Sequence, residues 1–298
     1  MIELNSVTKR FGAFTALDQL DMRVPAGSVY GLLGPNGAGK STIIRHLAGI
    51  YLQDEGEISI QGQSVWANPA LKEKIAYIPD DVFYFFGAST RDMMRFYKGL
   101  YPRFDMDLYA RLREVFPVGE KKLIRNLSKG MQKQSAFWLA LCKRPEILIL
   151  DEPVDGLDPV MRRRMWSLIM ESVAAEGTTV VISSHNLREM EDVCDHVGIL
   201  DHGCMRLERA LVDIETDTVK VQLAMPDGKI FDCTGLNVLN SSRSGKIETF
   251  VIRGDKAEIK NNIAAQEPGY YDLIPLSLEE IFIYELGGDT DAIKDILL

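Results

Sequence analysis

Residues 34–41, GPNGAGKS, combine glycines with a lysine and a serine hydroxyl, the residue types that bind phosphate groups. Glycines let backbone N–H groups turn inward around a phosphate, and the N-terminus of a following helix adds positive potential. In such a loop Lys40 reaches the β and γ phosphates of a nucleotide, and the Ser41 hydroxyl ligates Mg²⁺. We therefore predict a phosphate-binding loop here; the alternative is a tight turn that happens to carry a lysine.

A second group that could do chemistry is the pair of carboxylates at the end of the apolar run EILIL. The carboxyl edge of a buried sheet is where ligands of such sheets bind. We predict that Asp151 holds Mg²⁺ directly or through water, and that Glu152 acts as general base on an attacking water. The alternative is a solvated strand end.

The elements that must position these groups are strands and helices that alternate to about residue 213. The chief segments are SVYGLL, STIIRHLAGI, KIAYIP, LSKGMQKQSAFWLALC, EILIL, residues 159–175, TTVVIS, NLREMEDVC and HVGIL. Such alternation predicts an α/β fold with a largely parallel sheet. Residues 90–116 are predicted to be helical with an interruption at Pro102, and Ser128 is a predicted helix N-cap.

The pattern changes beyond residue 213. Three strand-like segments, VKVQLAM, KIFDCT and ETFVIRG, come first, and two helical segments, DKAEIKNNIAA and LSLEEIFIYEL, follow them. We predict two domains: residues 1–213 with the phosphate loop, and a small α+β appendage over residues 214–298.

Five segments in this order, GPNGAGKST, LSKGMQKQ, ILILDEP, GLDP and SSHN, resemble the ATP-binding subunits of ABC transporters. The resemblance covers residues 1 to about 213. It implies a P-loop NTPase core with an N-terminal antiparallel β subdomain and a helical subdomain at about residues 82–143. It also implies hydrolysis of ATP to ADP and phosphate, with ATP and Mg²⁺ as cofactors. The segments EPVDGLDPVMRRRM, SSHNLREMEDVCDHVGIL and PLSLEEIFIYELGG resemble bacterial exporter-type subunits, in particular the Ytr-type branch.

The resemblance implies roles for individual residues. Phe11 matches the aromatic residue that stacks on adenine, and His185 matches the histidine that contacts the γ-phosphate. Ser128 and Gly130 match the signature segment that caps the γ-phosphate of the opposite subunit, and Asp158 matches an acid that crosses the dimer interface. The loop residues that should contact the nucleotide are Gly34, Asn36, Gly37, Gly39, Lys40, Ser41 and Thr42. The alternatives are a core aromatic for Phe11 and a satisfied loop histidine for His185.

The sequence departs from the family pattern after KIAYIP, where Asp80 and Asp81 replace the usual glutamine. An aspartate can still ligate Mg²⁺, so Asp80 is a predicted metal ligand beside Ser41 and Asp151, although its charge repels the triphosphate. The alternative is that Asp80 caps the following helical segment and leaves Asp81 or a water near the metal. The usual LSGGQ reads LSKGM, and Asp155 stands where serine is common.

The aromatic run VFYFF at residues 82–86 follows these aspartates. In the family this region receives the coupling helix of the membrane subunit, so the run is a predicted interface anchor. The alternative is that its rings fill the core of the helical subdomain.

The resemblance implies a homodimer, or a heterodimer with a related subunit, that closes around two ATP molecules and drives an integral membrane permease. The protein would then be cytoplasmic and held on the inner face of the membrane through that permease.

The chain has a net charge of −9 and therefore lacks the basic character expected of a nucleic-acid binder, so we predict no nucleic-acid partner. Two competing functions are a soluble ABC-type ATPase that acts on nucleic acid or ribosomes, and a nucleotide-dependent signalling partner of a membrane sensor. The first is disfavoured because the stretch between Ser41 and Ser128 is too short for a long coiled coil.

Overall fold

The computed structural model describes residues 1–226 and 229–285; the end of the predicted appendage, residues 286–298, lies outside them. The strands are β1 (Ile2–Phe11), β2 (Phe14–Val24), β3 (Val29–Leu33), β4 (Glu55–Ile60), β5 (Ile75–Ile78), β6 (Ile147–Asp151), β7 (Thr179–Ser184), β8 (His196–Asp201), β9 (Cys204–Ala210), β10 (Thr218–Ala224), β11 (Asn237–Ser244), β12 (Ile247–Arg253) and β13 (Tyr270–Ile274). The helices are α1 (Lys40–Leu47), α2 (Pro69–Lys74), α3 (Thr90–Leu100), α4 (Met106–Val115), α5 (Lys129–Cys142), α6 (Pro159–Glu176), α7 (Leu187–Val193), α8 (Leu211–Asp217), α9 (Lys256–Ala265) and α10 (Leu278–Glu285).

The central sheet has six strands in the order β5-β6-β7-β3-β8-β9. All neighbours are parallel except β9, which runs antiparallel to β8. Every residue of β3, β6 and β7 is buried, as expected of parallel strands that are covered on both faces. The predicted α/β fold with a largely parallel sheet is therefore confirmed. The carboxyl ends of β3 and β6 meet beside that of β7, which brings the phosphate loop and the acidic strand end to one edge.

Side chains of the sheet alternate between two hydrophobic clusters. Ile149 and Val181 face a cluster shared with α1 and with the antiparallel sheet β2-β1-β4. Leu148 and Ile182 face the opposite cluster, which includes α5 and α6. The sheet is thus the middle layer between an N-terminal β layer and a helical layer.

Along the chain, helices α3, α4 and α5 come between β5 and β6, and they belong to the helical layer. The interruption predicted at Pro102 is present, since α3 ends at Leu100 and α4 begins at Met106. Trp138 is fully buried, stacks on Tyr109 at 4.4 Å between ring centroids, and donates its indole N–H to the Tyr109 carbonyl. This packing fixes α5, the helix that the signature segment begins.

The last sheet is antiparallel in the order β11-β12-β10-β13, and α9 packs on it through a separate hydrophobic cluster. The prediction that KIFDCT forms a strand was wrong, because no strand covers residues 230–234. The backbone N–H and carbonyl of Asp232 bind the Gln266 side chain and not a neighbouring strand, and the Asp232 carboxylate accepts from the N–H and hydroxyl of Thr234 in a local turn. The predicted boundary at residue 213 falls within α8, and the division into two domains stays a prediction.

None of the helices in the described residues combines the length and the apolar composition needed to cross a membrane.

Candidate active site

The phosphate loop connects β3 to α1, and two of its glycines are required by the backbone. A Cβ atom at Gly34, whose φ is +154°, would lie 2.2 Å from the Leu200 carbonyl oxygen. A Cβ atom at Gly39, whose φ is +112°, would lie 2.9 Å from the Ala16 carbonyl oxygen. Helix α1 begins at Lys40 without a side-chain N-cap, so the backbone donors of its first turn are available to an anion.

The other predicted loop residues lie around this helix start. Asn36 and Gly37 are exposed at the loop tip, while Thr42 lies in the first turn of α1. Lys40 is buried, and its Nζ donates to the Gly34 carbonyl at 2.6 Å and to the Pro35 carbonyl at 3.1 Å. Burial lowers the pKa of Lys40, and the charges of Glu152 and Asp151 oppose that shift. The lysine charge therefore lies inside the loop, close to both carboxylates.

Ser41 and Asp151 are brought together at the end of β6. The Ser41 hydroxyl donates to Oδ1 of Asp151 at 3.2 Å, and the Ser183 hydroxyl donates to the same oxygen at 2.5 Å. Asp151 is buried, yet within residues 1–226 and 229–285 no basic side chain lies within ion-pair distance of it. A buried carboxylate beside a hydroxyl, with the Lys40 charge nearby but outside ion-pair distance, is a donor set that suits Mg²⁺.

Glu152 and His185 form the other pair at this edge. Nδ1 of His185 lies 2.9 Å from Oε2 of Glu152, and one ligand atom of Asp155 lies within 4.8 Å of both residues. Burial raises the pKa of Glu152 above its ordinary value, and Asp155 adds to the rise, while His185 and Lys40 act in the opposite direction. A carboxylate with a raised pKa is a stronger proton acceptor, as a general base requires.

The backbone of Glu152 is held in an unusual conformation. Its φ is +45°, a left-handed value that costs free energy for a non-glycine residue. Its N–H lies 3.2 Å from the carbonyl oxygen of Ser183 and 3.3 Å from that residue's hydroxyl, and its carbonyl accepts a hydrogen bond from Nζ of Lys133 at 2.7 Å.

Sequence reasoning did not assign Lys133 or Ser183 to the site. The available signal was that Lys133 lies four residues before Phe137, on the face of α5 that is buried. A lysine at an apolar-face position of a helix needs a partner.

Asp80 also binds Lys133. Its Oδ1 accepts a hydrogen bond from Nζ of Lys133 at 3.0 Å. The alternative role of helix capping belongs to another residue, because Ser89 is the N-cap of α3. Contact of Asp80 with a metal stays a prediction.

The signature segment lies against the GLDP turn of the same chain. Ser128 is the N-cap of α5, as predicted, and its hydroxyl accepts from the Met131 N–H at 3.3 Å. A Cβ atom at Gly130 would lie 2.7 Å from the Gly156 carbonyl oxygen, so only glycine fits there. Asp158 caps α6 by accepting from two backbone N–H groups of its first turn, both at 3.0 Å.

The predicted aromatic residues divide between surface and core. Phe11 is 44% exposed at the end of β1 and packs edge-to-face on Tyr51 with ring centroids 5.4 Å apart, so it is not a core residue. In the run 82–86 the three phenylalanines, Phe83, Phe85 and Phe86, are exposed. Tyr84 is partly buried and donates its hydroxyl to the Gln132 carbonyl at 2.9 Å.

Comparison with known proteins agrees with this geometry. A family model described as ABC transporter matches residues 17–155. The ABC transporter ATP-binding protein YhaQ of Bacillus subtilis is 31% identical to the chain, with 97% of this chain and 99% of that protein covered. The chain belongs to the family of ABC transporter ATP-binding proteins. It is therefore an ATP-binding subunit of an ABC transporter, and members of this family are ATPases.

Other members of the ABC family are similar over most of this chain. YtrB of Bacillus subtilis is 29% identical, with 97% of this chain and 99% of YtrB covered. The lantibiotic transport ATP-binding protein SrtF of Streptococcus pyogenes is 34% identical, with 70% of this chain and 90% of SrtF covered. A solved structure of an ABC transporter ATP-binding subunit superimposes with a TM-score of 0.67 at 27% identity, covering 72% of this chain and 92% of that one. A dimeric, post-hydrolysis cassette bound to ADP and Pi shares the fold, with a TM-score of 0.63 at 21% identity over 71% of this chain and 99% of that one.

Proposed function

We propose that this chain is the ATP-hydrolysing motor subunit of a bacterial ABC exporter. Two such subunits, identical or related, close around two ATP molecules and drive a separate integral membrane permease. The observation that carries the proposal is the meeting of three groups at one sheet edge: the phosphate loop, the Ser41–Asp151 pair and the Glu152–His185 pair.

In this proposal the phosphates lie against the first turn of α1. Lys40 exchanges its loop carbonyl partners for β and γ phosphate oxygens, and the backbone N–H groups of the loop contact the same phosphates. Ser41 and Asp151 would hold Mg²⁺, which neutralises phosphate charge when bound. Asp80 is left out of this ligand set because its carboxylate is paired with Lys133.

Glu152 takes the proton from the water that attacks the γ-phosphorus, and the products are ADP and phosphate. His185 holds the carboxylate from the Nδ1 side at 2.9 Å and thereby limits its rotation. The raised pKa of Glu152 supports the base role, because a weakly acidic carboxyl group accepts a proton more readily.

The second half of each site comes from the opposite subunit. Ser128 and Gly130 of one subunit cap the γ-phosphate that the other subunit holds. Gly130 approaches the Gly156 backbone, and Asp158, two residues after Gly156, is the N-cap of α6, so the segments proposed to meet the partner are packed together. The dimeric cassette with ADP and Pi supports this arrangement by its shared fold.

The permease is proposed to dock on the phenylalanines of residues 82–86. Phe83, Phe85 and Phe86 are large apolar side chains on the surface, and Phe86 is 92% exposed. Exposed apolar clusters mark interaction sites. SrtF is a lantibiotic transport ATP-binding protein, which supports a transport function. We infer that the subunit is held on the inner face of the membrane through the permease.

Steady-state ATPase measurements on the parent and on Glu152→Gln test the function. We expect the variant to bind ATP with parental affinity and to lose about 10²- to 10⁴-fold in turnover, as loss of a general base does. Glu57→Gln, which removes an exposed carboxylate from β4, is the matched control. A parent without ATPase activity would reject the motor function, and a Glu152→Gln variant with parental turnover would reject the base.

A further inference from the structure

We propose that Lys133 and Asp80 form a positioning pair that fixes the peptide group of Glu152. Lys133 acts on the carbonyl of Glu152, and Asp80 holds the lysine in place. The inference rests on the proposed role of Glu152 as the general base. It assigns to Asp80 a function that requires no contact with metal or nucleotide.

The burial of Lys133 is the first argument. Its side chain is 6% exposed, although it lies on α5 only four positions after the exposed Lys129. Lysine is almost never fully buried unless it is paired, because removal of an ammonium group from water is costly. The acceptors are the Asp80 carboxylate at 3.0 Å and the Glu152 carbonyl at 2.7 Å. The ammonium group of the lysine is thus held by these two partners.

The position of the two acceptors is the second argument. Lys133 belongs to α5, Asp80 follows β5, and Glu152 follows β6, so one ammonium group joins three elements that are distant in the chain. Both peptide groups around Glu152 are then held, one by Ser183 and one by Lys133. The left-handed φ of Glu152 persists because its surroundings impose it.

The flexibility of lysine explains why Asp80 is needed. An ammonium group on a flexible four-carbon stem can take many positions. The Asp80 carboxylate, as a second acceptor, limits the Lys133 ammonium group to the position in which it also reaches the Glu152 carbonyl. Asp80 is 58% exposed and borders a cavity of about 280 Å³ that Lys129, Lys133 and Asp155 also line. The pair therefore connects the N-terminal part of α5 to the proposed base through contacts that do not involve the phosphate loop.

From this arrangement we expect an effect on turnover and not on nucleotide affinity. Loss of Lys133 leaves the Glu152 carbonyl without its donor, and a displacement of about 1 Å in a catalytic group can cost about 10²-fold in rate. Loss of the Asp80 charge only loosens the lysine and should have a smaller effect.

The experiment compares Lys133→Met, Asp80→Asn and the double variant with the full-length parent by phosphate release, ATP binding and Mg²⁺ titration. We expect kcat to fall about 10- to 100-fold in Lys133→Met and a few-fold in Asp80→Asn, with ATP affinity and half-saturating Mg²⁺ within about twofold of the parent. The double variant should be no slower than Lys133→Met, because residues that act as one unit are not additive.

Lys143→Met is the matched control. Lys143 is also buried beside α5, but it donates to the backbone carbonyl of Ile75 and lies over the Tyr101 ring. We expect it to lower the melting temperature while kcat stays within about twofold of the parent. A parental kcat in Lys133→Met, additive losses in the double variant, or a changed Mg²⁺ dependence in Asp80→Asn would each overturn the proposal.

If Lys133→Met does not fold, as judged by circular dichroism, Asp80→Asn decides the question alone. Its side chain is more than half exposed, so the substitution should not disturb folding. A few-fold loss of kcat with unchanged Mg²⁺ dependence supports the pair, and an unchanged kcat rejects it. Glu152→Gln, measured alongside, separates the two failures: if it is inactive while the pair variants are normal, only the positioning pair is rejected.

Discussion

Nδ1 of His185 lies 2.9 Å from Oε2 of Glu152, which ties the segment after β7 to the turn after β6. Both residues come at the carboxyl ends of neighbouring strands, and β6 and β7 pair with Asp151 opposite Ser183. The contact therefore depends on sheet register: a shift of one residue would separate the imidazole from the carboxylate. The geometry of the proposed base is a property of the core and not of a flexible loop.

The pH dependence of hydrolysis should report the environment of Glu152. An ordinary glutamate has a pKa of about 4.3. Burial and Asp155 raise the pKa of Glu152, and the base is lost when the carboxylate gains a proton, so the acid limb of kcat/KM should lie at higher pH than for an ordinary glutamate. Asp155→Asn removes a charge that raises this pKa, and the limb should move to lower pH. Profiles of parent, Asp155→Asn and the exposed control Asp272→Asn are compared; a limb that stays in place would show that another group titrates.

Lys40→Ala should abolish tight ATP binding. The lysine is the cation inside the phosphate loop, and charge-assisted hydrogen bonds of this kind contribute about 1.5–3 kcal/mol. We expect affinity to fall by at least about 10- to 100-fold in a fluorescence titration. Lys98→Ala on α3, an exposed position, should bind ATP as the parent does. Unchanged affinity in Lys40→Ala would reject the assignment of the loop.

Association of the subunit should depend on nucleotide. Each chain carries a formal charge of −9, so two copies repel each other until ATP bridges the site, and salt screens that repulsion. Sedimentation should show monomers without nucleotide and dimers of Glu152→Gln with Mg-free ATP, with more dimer at higher salt. A tight dimer without nucleotide would mean that another face holds the pair.

Gly130→Ala should damage the contact between the signature segment and the GLDP turn. The added Cβ would meet the Gly156 carbonyl at 2.7 Å, and overpacking of this kind costs about 1–3 kcal/mol. We expect a lower free energy of unfolding in urea and a reduced ATPase rate. Gly99→Ala on α3 is the control, because among the described residues nothing beyond its chain neighbours and its own helix backbone lies within 4 Å of its Cβ, and alanine suits a helix better by about 0.5–1 kcal/mol. Equal stability of the two variants would contradict the contact.

The exposed phenylalanines should serve association with the membrane subunit and not hydrolysis. Replacement of Phe83 and Phe86 by serine removes two apolar side chains that are 85% and 92% exposed. ATPase activity and the melting temperature should stay near those of the parent, whereas retention in the membrane fraction of the native cell should fall. Ile230→Ser, at another exposed apolar position, is the control. Full retention of the phenylalanine variant would place the docking surface elsewhere.

The sequence correctly predicts those parts of the fold in which residue type and hydrophobic periodicity indicate the same local structure. The glycine loop between β3 and α1, the buried run that ends at Asp151, and the Ser128 N-cap each depend on neighbours within a few residues. The prediction of a strand at KIFDCT was wrong because side chains, Gln266 on the Asp232 backbone and Asp232 on Thr234, make the hydrogen bonds there in place of a neighbouring strand.

The contacts that sequence could not predict join elements distant in the chain. Lys133 meets Asp80 across 53 positions and the Glu152 carbonyl across 19. Gly130 approaches the Gly156 backbone because α5 and the turn after β6 pack together. The periodicity of one segment predicts its own secondary structure but not which residues of a distant segment it will contact. Such pairs can therefore be identified only in the folded structure.

The hydrophobic cluster on the helical side of the central sheet continues into the last part of the chain. Val251, Leu276, Leu278 and Ile281 belong to it together with Ile199 and Met190, and Arg188 forms an ion pair with Glu279. A chain that ended near residue 213 would leave this apolar surface in water. The C-terminal region is therefore expected to unfold together with the nucleotide-binding region, in one cooperative thermal transition, and a shortened protein is expected to aggregate.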